Sequence, residues 1–257
     1  MAVEIRTSFD INDYLDAAVY SCDKVAMDAD ENWIDPIGGR ADCLHKTLKT
    51  IANPKDLFKN DPLEIMSVIR HATSSGFFID ETVQSVASRC AGGIRRADKE
   101  RIRDDFEAIL TSDNAGYGLE MIGKMDVLQG IIGLKRARIM RTRELRAYKD
   151  LWEEMDRIPN NRLERIGMFY LCFEGRGMLD LAKLLPYDEE VLLCIEDAEK
   201  YMPKMSMISK LEGLEKLIDE IGVERYEYID SLAYDQAKAY GLSDKKIQKR
   251  RELFKQL

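Results

Sequence analysis

From Asp61 to the C-terminus the chain repeats its apolar residues at intervals of three and four, and that spacing fixes what it can fold into. Asp61-Pro62 has the aspartate and first-turn proline of a helix start, and Leu63, Ile65, Met66, Ile69 and Ala72 then share one helical face. A further helix is expected from Ile79-Asp80-Glu81-Thr82, another from Asp98 to Leu110 with Ile102, Phe106, Ile109 and Leu110 on one side, and a fourth from Leu119 to Ile132. Gly116-Tyr117-Gly118 is expected to link two of them. From Leu134 onward nearly everything is expected to be helical, with breaks at Pro159-Asn160-Asn161, Gly175-Arg176-Gly177, Pro186, Pro203, Gly222 and Gly241-Leu242-Ser243. Strand patterns are confined to the first sixty residues: a strand end at Val3-Glu4-Ile5, a short strand at Trp33-Ile34 stopped by Pro36, and a second at Thr47 to Ala52. The predicted fold class is mainly α, with a small α/β portion at the N-terminal end.

At 257 residues, 45% hydrophobic and 33% charged, the chain can bury the core of one large domain or of two or three small ones. A net charge of −8 argues against nucleic acid on bulk charge alone, but a binding face needs only a local concentration of cations. Lys135, Arg136, Arg138, Arg141, Arg143, Arg146 and Lys149 crowd one predicted helix with Glu144 as the single acid among them. Lys245, Lys246, Lys249, Arg250, Arg251 and Lys255 crowd the tail. Both read as candidate phosphate-binding surfaces. A third cluster, Arg95, Arg96, Lys99, Arg101 and Arg103, is interleaved with Glu100, Asp104, Asp105 and Glu107 and reads as a solvated helix face. The five cysteines form no C-x-x-C pair and read as reduced thiols of a cytoplasmic protein. No apolar run approaches the roughly 18 residues of a membrane span, and the N-terminus carries no signal-peptide pattern, so no membrane is expected as a partner.

Five blocks then appear in a fixed order: Trp33-Ile34-Asp35-Pro36-Ile37-Gly38-Gly39-Arg40-Ala41-Asp42, Asn53 to Leu63, Ile69-Arg70-His71-Ala72, Gly76-Phe77-Phe78-Ile79-Asp80 and Glu100 to Leu110. In order and spacing they resemble the end of the head and the neck of class II tRNA nucleotidyltransferases, the bacterial-type CCA-adding enzymes and their poly(A) polymerase relatives. The resemblance implies a truncated head at 1–59, a helical neck at 60–133, and a helical body and tail at 134–257. Asp35, Pro36, Gly38, Gly39 and Asp42 match the family's D-P-x-G-G-x-x-D, and Arg101 and Asp105 belong to the matched neck helix. The family uses body and tail on the tRNA acceptor arm, which implies tRNA or another structured RNA as partner for the two basic clusters.

Departures from the family pattern are equally informative. Arg6-Thr7-Ser8-Phe9-Asp10-Ile11-Asn12 resembles the family's R-R-D-F-T-I-N but holds Thr7 and Ser8 where the second arginine and the aspartate stand. Asn60-Asp61-Pro62-Leu63-Glu64 falls on the base-reading E-D-P-L-R block, with Glu64 in place of the arginine; a carboxylate only accepts hydrogen bonds where a guanidinium donates a fork of them. By resemblance the nucleotide-binding candidates are Arg6, Asn12, Asp61 and Arg70. The family's glycine-rich loop and Mg²⁺-binding aspartates precede the R-R-D block, and only five residues precede Arg6. The expectation is therefore that this chain holds neither catalytic carboxylates nor a metal by itself. Mg²⁺ and CTP or ATP would bind once a complete head is assembled, with a separate head chain or a second copy pairing along the open sheet edge. Asp28-Ala29-Asp30 reads as a turn rather than a replacement pair, and His45 and His71, the only histidines, exclude the H-D phosphohydrolase site of some relatives. Two functions remain open: the RNA-binding neck and body of a nucleotidyltransferase inactive alone, and a non-catalytic tRNA-binding or scaffold paralogue.

Overall fold

A computed structural model describes residues 11–133, 135, 137, 140, 142–173 and 177–257. Among them strands are short and few, and helices dominate. In the N-terminal part, helix α1 (Ile11–Asp16) leads through a 3-10 turn at Ser21–Asp23 to an antiparallel pair, β1 (Ala26–Met27) and β2 (Trp33–Ile34), with Ala26 opposite Ile34 and Met27 opposite Trp33. The connecting turn is stapled by Asp28, whose Oδ1 accepts the N–H groups of Asp30 and Asn32 at 2.9 and 2.8 Å. Helix α2 (Gly39–Leu44) follows, then β3 (Thr47–Leu48).

The expected strand from Thr47 to Ala52 is shorter than its alternation suggests, although Thr50 makes an isolated bridge to Tyr20. The partner of β3 is β4 (Phe78–Ile79), parallel and far along the chain, with Thr47 opposite Phe78 and Leu48 opposite Ile79. Residues 78 and 79 are thus extended rather than the first turn of a helix, because they lie between Gly76, a left-handed C-cap, and Asp80, an N-cap in extended backbone. The two expected strands do not form one ribbon: each has its own partner, and β4 ties the N-terminal part to the helices that follow.

Helix α3 (Pro54–Asn60) begins at Asn53, whose side chain accepts the Lys55 N–H, with proline in the first turn. Asp61, expected as a helix N-cap, instead closes α3, and its carboxylate accepts the Leu63 N–H before α4 (Glu64–Ser75) begins. Asp80 caps α5 (Glu81–Cys90) and Asp98 caps α6 (Lys99–Leu110), each through its carboxylate and two backbone N–H groups. Helix α7 (Ala115–Lys124) includes the Gly116-Tyr117-Gly118 stretch expected as a linker. These glycines are packing residues: a Cβ on Gly118 would stand 2.4 Å from Ile109 Cγ2 and 2.7 Å from Thr73 Cγ2, and one on Gly116 would stand 2.3 Å from the Trp152 carbonyl oxygen. Helix α8 (Leu128–Ile131) is a separate short helix, so the expected span Leu119 to Ile132 divides in two.

The body consists of α9 (Thr142–Glu154), α10 (Arg162–Leu171), α11 (Met178–Ala182), α12 (Glu189–Met205), α13 (Leu211–Ile221), α14 (Val223–Ala239) and α15 (Lys245–Phe254). Pro203 lies inside the last turn of α12 instead of ending it, and the helix stops two residues later. One apolar core runs from Tyr20 through the neck helices to Leu232. Arg165 fastens neck to body: its buried guanidinium donates to the carbonyls of Leu110 and Ser112, both at 2.7 Å, and to those of Ile158 and Pro159. Beside it Arg162 forks onto Glu107 at 2.6 and 2.8 Å and reaches Asp188 at 2.6 Å. No helix among the described residues is long and apolar enough to cross a membrane.

Arg165→Lys keeps the charge but cannot reach four carbonyls arranged around a planar fork. Each buried acceptor left unpaired costs about 1–3 kcal/mol, so a loss of at least about 2 kcal/mol is expected in denaturant unfolding, and a loss below about 0.5 kcal/mol would refute the role given to Arg165.

Candidate base-reading corner and RNA-facing surface

The matched head motif folds as a brace. Asp35 accepts the Gly39 N–H at 2.8 Å and the Arg40 N–H at 3.2 Å, bending the backbone after Pro36 through Gly38 at φ +80°. Gly39 permits contact with the Ser21–Asp23 turn, since a Cβ there would sit 1.9 Å from the Ser21 carbonyl oxygen. Asp42 completes the brace by accepting the Ser21 hydroxyl at 2.7 Å and pairing with Lys49 at 2.5 Å. Asp35 and Asp42 thus spend their carboxylates on holding the turn in shape.

The brace presents Tyr20 and Asp23 to the neck, where α4 supplies Glu64, Arg70 and His71, and α6 supplies Arg101 and Asp105. Arg70 Nε pairs with Asp105 at 2.7 Å, and Arg101 approaches Asp61 at 3.7 Å. Asp61 and Arg70 therefore come to one corner, but each is engaged by α6. Burial, and then the Asp61 carboxylate, raise the Glu64 carboxyl above the usual glutamate range. Burial likewise raises Asp105 in spite of the Arg70 guanidinium beside it. Burial and the Glu64 charge push the Tyr20 phenol well up. The corner is a half-buried array of acids and paired arginines that can accept hydrogen bonds at Glu64, whereas a base edge read by an arginine fork would need free donors. His71 packs its ring on Tyr20 at 4.8 Å, as a packed neck histidine should, and also approaches Asp23 at 3.4 Å. The Tyr20 and Asp23 contributions were not legible in the sequence, because the segment is positioned by tertiary bonds to residues 42, 49, 50 and 51 and meets the neck only where Tyr20 and Asp23 reach His71 in the folded chain. Asn12 stands exposed on α1, and Arg6 lies outside the described residues.

The basic surface divides. Lys135, Arg146 and Lys149 are exposed, while Arg136, Arg138, Arg141 and the Arg143 side chain lie outside the described residues. On α15 the side chains of Lys245, Lys246 and Lys249 are exposed. Arg250 does not belong to the RNA-facing set: it is 2% exposed, pairs with Asp230 at 3.1 Å and donates to the Met205 carbonyl at 3.3 Å. Arg251 is likewise turned inward, pairing with Asp230 at 2.6 Å and lying over the Tyr234 ring. The α15 helix places 250 and 251 against α14 and leaves 245, 246 and 249 outward, a division that clustering in sequence cannot reveal. Phe254 packs on Tyr226 at 5.0 Å as a core contact. In the third cluster Arg103 pairs with Asp104, as on a solvated face, whereas Lys99 turns inward to the Gly130 carbonyl at 2.9 Å.

Asp28 does not fit a magnesium pair with Asp30, since its oxygens hold the turn through Asp30 and Asn32. Among the described residues the one grouping of three or more histidine, cysteine and acidic side chains with ligand-like spacing is Cys22, Asp23 and His71.

A family model described as "Probable RNA and SrmB- binding site of polymerase A" matches residues 76–132, the neck from β4 through α8. The chain is 29% identical over 103 residues to a CCA-adding enzyme of Geobacillus sp. (strain WCH70), covering 40% of this chain and 26% of that one. It is 28% identical over 116 residues to an A-adding tRNA nucleotidyltransferase of Deinococcus radiodurans, again covering 26% of the relative. The fold is that of the Bacillus stearothermophilus CCA-adding enzyme solved in complex with CTP, at a TM-score of 0.71 and 19% identity over 96% of this chain and 60% of that one. The Thermotoga maritima CCA-adding enzyme complexed with tRNA superposes at a TM-score of 0.62 and 16% identity, over 95% of this chain and 60% of that one. The chain thus spans about a quarter of these sequence relatives and three fifths of the structural ones.

A carboxyl with a raised pKa stabilises the fold below the ordinary glutamate value of about 4.3 and loses that contribution as pH rises through the raised value. Glu64→Gln is therefore expected to raise the thermal midpoint near neutral pH, with the gain vanishing toward pH ~4. A lower midpoint at neutral pH would mean that attraction to Arg70 and Arg101 outweighs burial.

Proposed function

We propose, from the chain's membership of the class II CCA-adding enzyme and poly(A) polymerase family, that it is the RNA-binding neck and body of a nucleotidyltransferase whose catalytic carboxylates come from outside the described residues. The observation that carries this reading is the match of the RNA-binding family model to a densely packed neck that shares one apolar core with a body exposing cations on α9 and α15. Residues 1–59 act as a head remnant, 60–133 as the neck, and 134–257 as the body and tail. In this reading Lys135, Arg146, Lys149, Lys245, Lys246 and Lys249 hold the phosphate backbone of a tRNA or another structured RNA, with Arg136, Arg138, Arg141 and Arg143 of the same sequence cluster. Phosphate contacts of this kind position the RNA without reading its sequence.

Mg²⁺ and CTP or ATP belong to the assembled enzyme, where Mg²⁺ would supply the charge stabilisation that phosphoryl transfer needs. This chain's own contribution to nucleotide addition is the corner of Asp61, Glu64 and Arg70. A separate head chain would meet the N-terminal part, which exposes Tyr14, Trp33, Leu44 and Phe78.

A second reading, a non-catalytic tRNA-binding or scaffold paralogue, is favoured by that same corner. Arg70 is committed to Asp105, Asp61 faces Arg101, and Glu64 can only accept hydrogen bonds where the family pattern has an arginine. Both readings require RNA binding by this chain, and they differ in whether addition follows when a head is supplied.

Joint charge reversal at Arg146, Lys245, Lys246 and Lys249 is expected to weaken tRNA binding by at least tenfold in fluorescence anisotropy. It should also make the log–log salt dependence shallower by roughly 0.7–0.9 for each phosphate that the protein no longer neutralises. Unchanged affinity and slope in a folded variant would return these residues to an ordinary solvated surface.

A further inference from the structure

We infer that Cys22, Asp23 and His71 form a binding site for a single divalent transition-metal ion of the zinc type, clipping the head remnant to the neck. The site is independent of the RNA-binding reading and of the magnesium chemistry of nucleotide addition.

The geometry carries the inference. Asp23 Oδ1 lies 3.7 Å from Cys22 Sγ and 3.4 Å from His71 Nε2, and ligand atoms of the three residues all fall within 4.8 Å of one another. Zinc takes thiolate sulfur at about 2.3 Å and imidazole nitrogen or carboxylate oxygen at about 2.0–2.2 Å, so two ligand atoms on one tetrahedral ion stand roughly 3.3–3.7 Å apart. Both separations from Asp23 match that edge length, and the Cys22–His71 pair closes to it from within 4.8 Å. The donor set is equally apt: one soft sulfur, one imidazole and one carboxylate suit zinc, whereas magnesium prefers oxygen alone.

The surroundings fix the ligands in place. Cys22 and Asp23 lie on the 3-10 turn that the Asp42–Ser21 hydrogen bond and the Gly39 contact hold down, and His71 lies on the rigid helix α4. The Tyr20 ring, packed on the imidazole, sets its plane as outer-shell groups do in metal sites. Asp23 and His71 also line a cleft of about 340 Å³ with Tyr14, Val19 and Tyr20. The cleft leaves room for a water or an exogenous donor in the fourth position.

The full chain, stripped with chelator, would be titrated with Co²⁺ as a spectroscopic substitute and with Zn²⁺ in competition. The expected result is one equivalent bound, with a thiolate-to-cobalt charge-transfer band and visible d–d bands of four-coordinate intensity, all displaced by Zn²⁺. Cys22→Ser should abolish the charge-transfer band, His71→Gln should weaken binding at least tenfold, and Cys43→Ser should leave both unchanged. Should Cys22→Ser fail to fold, Asp23→Asn and a zinc-dependent, chelator-reversible rise in the wild-type thermal midpoint serve instead. Absence of a charge-transfer band at saturating Co²⁺ in the wild type would overturn the proposal, leaving His71 and Asp23 as a polar contact between head and neck. A band that survives in folded Cys22→Ser would overturn it as well.

Discussion

The buried guanidinium of Arg165 is the contact on which the arrangement of neck and body depends. It gathers four carbonyls from three places, the end of α6, the turn after it and the loop before α10, and those of Leu110 and Ile158 would otherwise be buried without donors. A charged group this deep is tolerable only because its donors are spent on those carbonyls and because Arg162 alongside is neutralised by Glu107 and Asp188. With that joint set, α6 and α10 bury Phe106 against Phe169 at 4.7 Å, and a single apolar core continues from the N-terminal part into the body. The two basic surfaces are then carried on a rigid frame rather than on independent pieces. A second buried pair works in the same way at the tail: Asp230 accepts from both Arg250 and Arg251 and so anchors α15, freeing only its outer lysines for a ligand.

The same chemistry that stabilises the neck constrains the corner of Asp61, Glu64 and Arg70. Arg70 turns its Nε–H to Asp105, Arg101 leans toward Asp61, and Glu64 adds a carboxyl to the same corner. A site that reads base edges by donating needs arginines held in place but unpaired. Here Arg70 gives its Nε–H to Asp105 and Arg101 approaches Asp61, so both arginines are held in place as part of the neck's own frame. RNA binding through phosphates makes no such demand, since exposed lysines on a stable helix are sufficient.

Much of this was legible in the sequence, for identifiable reasons. The mainly helical fold followed from apolar spacing, and the helix starts near Asp80 and at Asp98 and the breaks at Pro159, Gly222 and Gly241 followed from local chemistry that needs no distant partner. Where fold and pattern part, the deciding neighbour is usually remote. Phe78–Ile79 is extended because β3 lies beside it, Gly116 and Gly118 are helix packing positions because Trp152, Ile109 and Thr73 leave no room for a Cβ, and Arg250 is buried because α14 carries Asp230. The helix at Pro54–Asn60 is a different case: Asn53-Pro54 is a sound local start, but only Leu57 and Phe58 are apolar in its seven residues, too few to show a period. The approach of Asp23 and Cys22 to His71 returns to the first class, joining residues that no spacing rule relates.

The central claim is that this chain binds RNA through its body and tail but does not itself add nucleotides. The most direct measurement is equilibrium binding of the purified full chain to a tRNA lacking its 3′-terminal CCA, across a salt series, with CTP, ATP and Mg²⁺ present and incorporation followed in the same tubes. The account predicts saturable binding that weakens steeply with salt and no incorporation. Incorporation by the chain alone, or affinity for tRNA no better than for an unrelated polyanion, would contradict it.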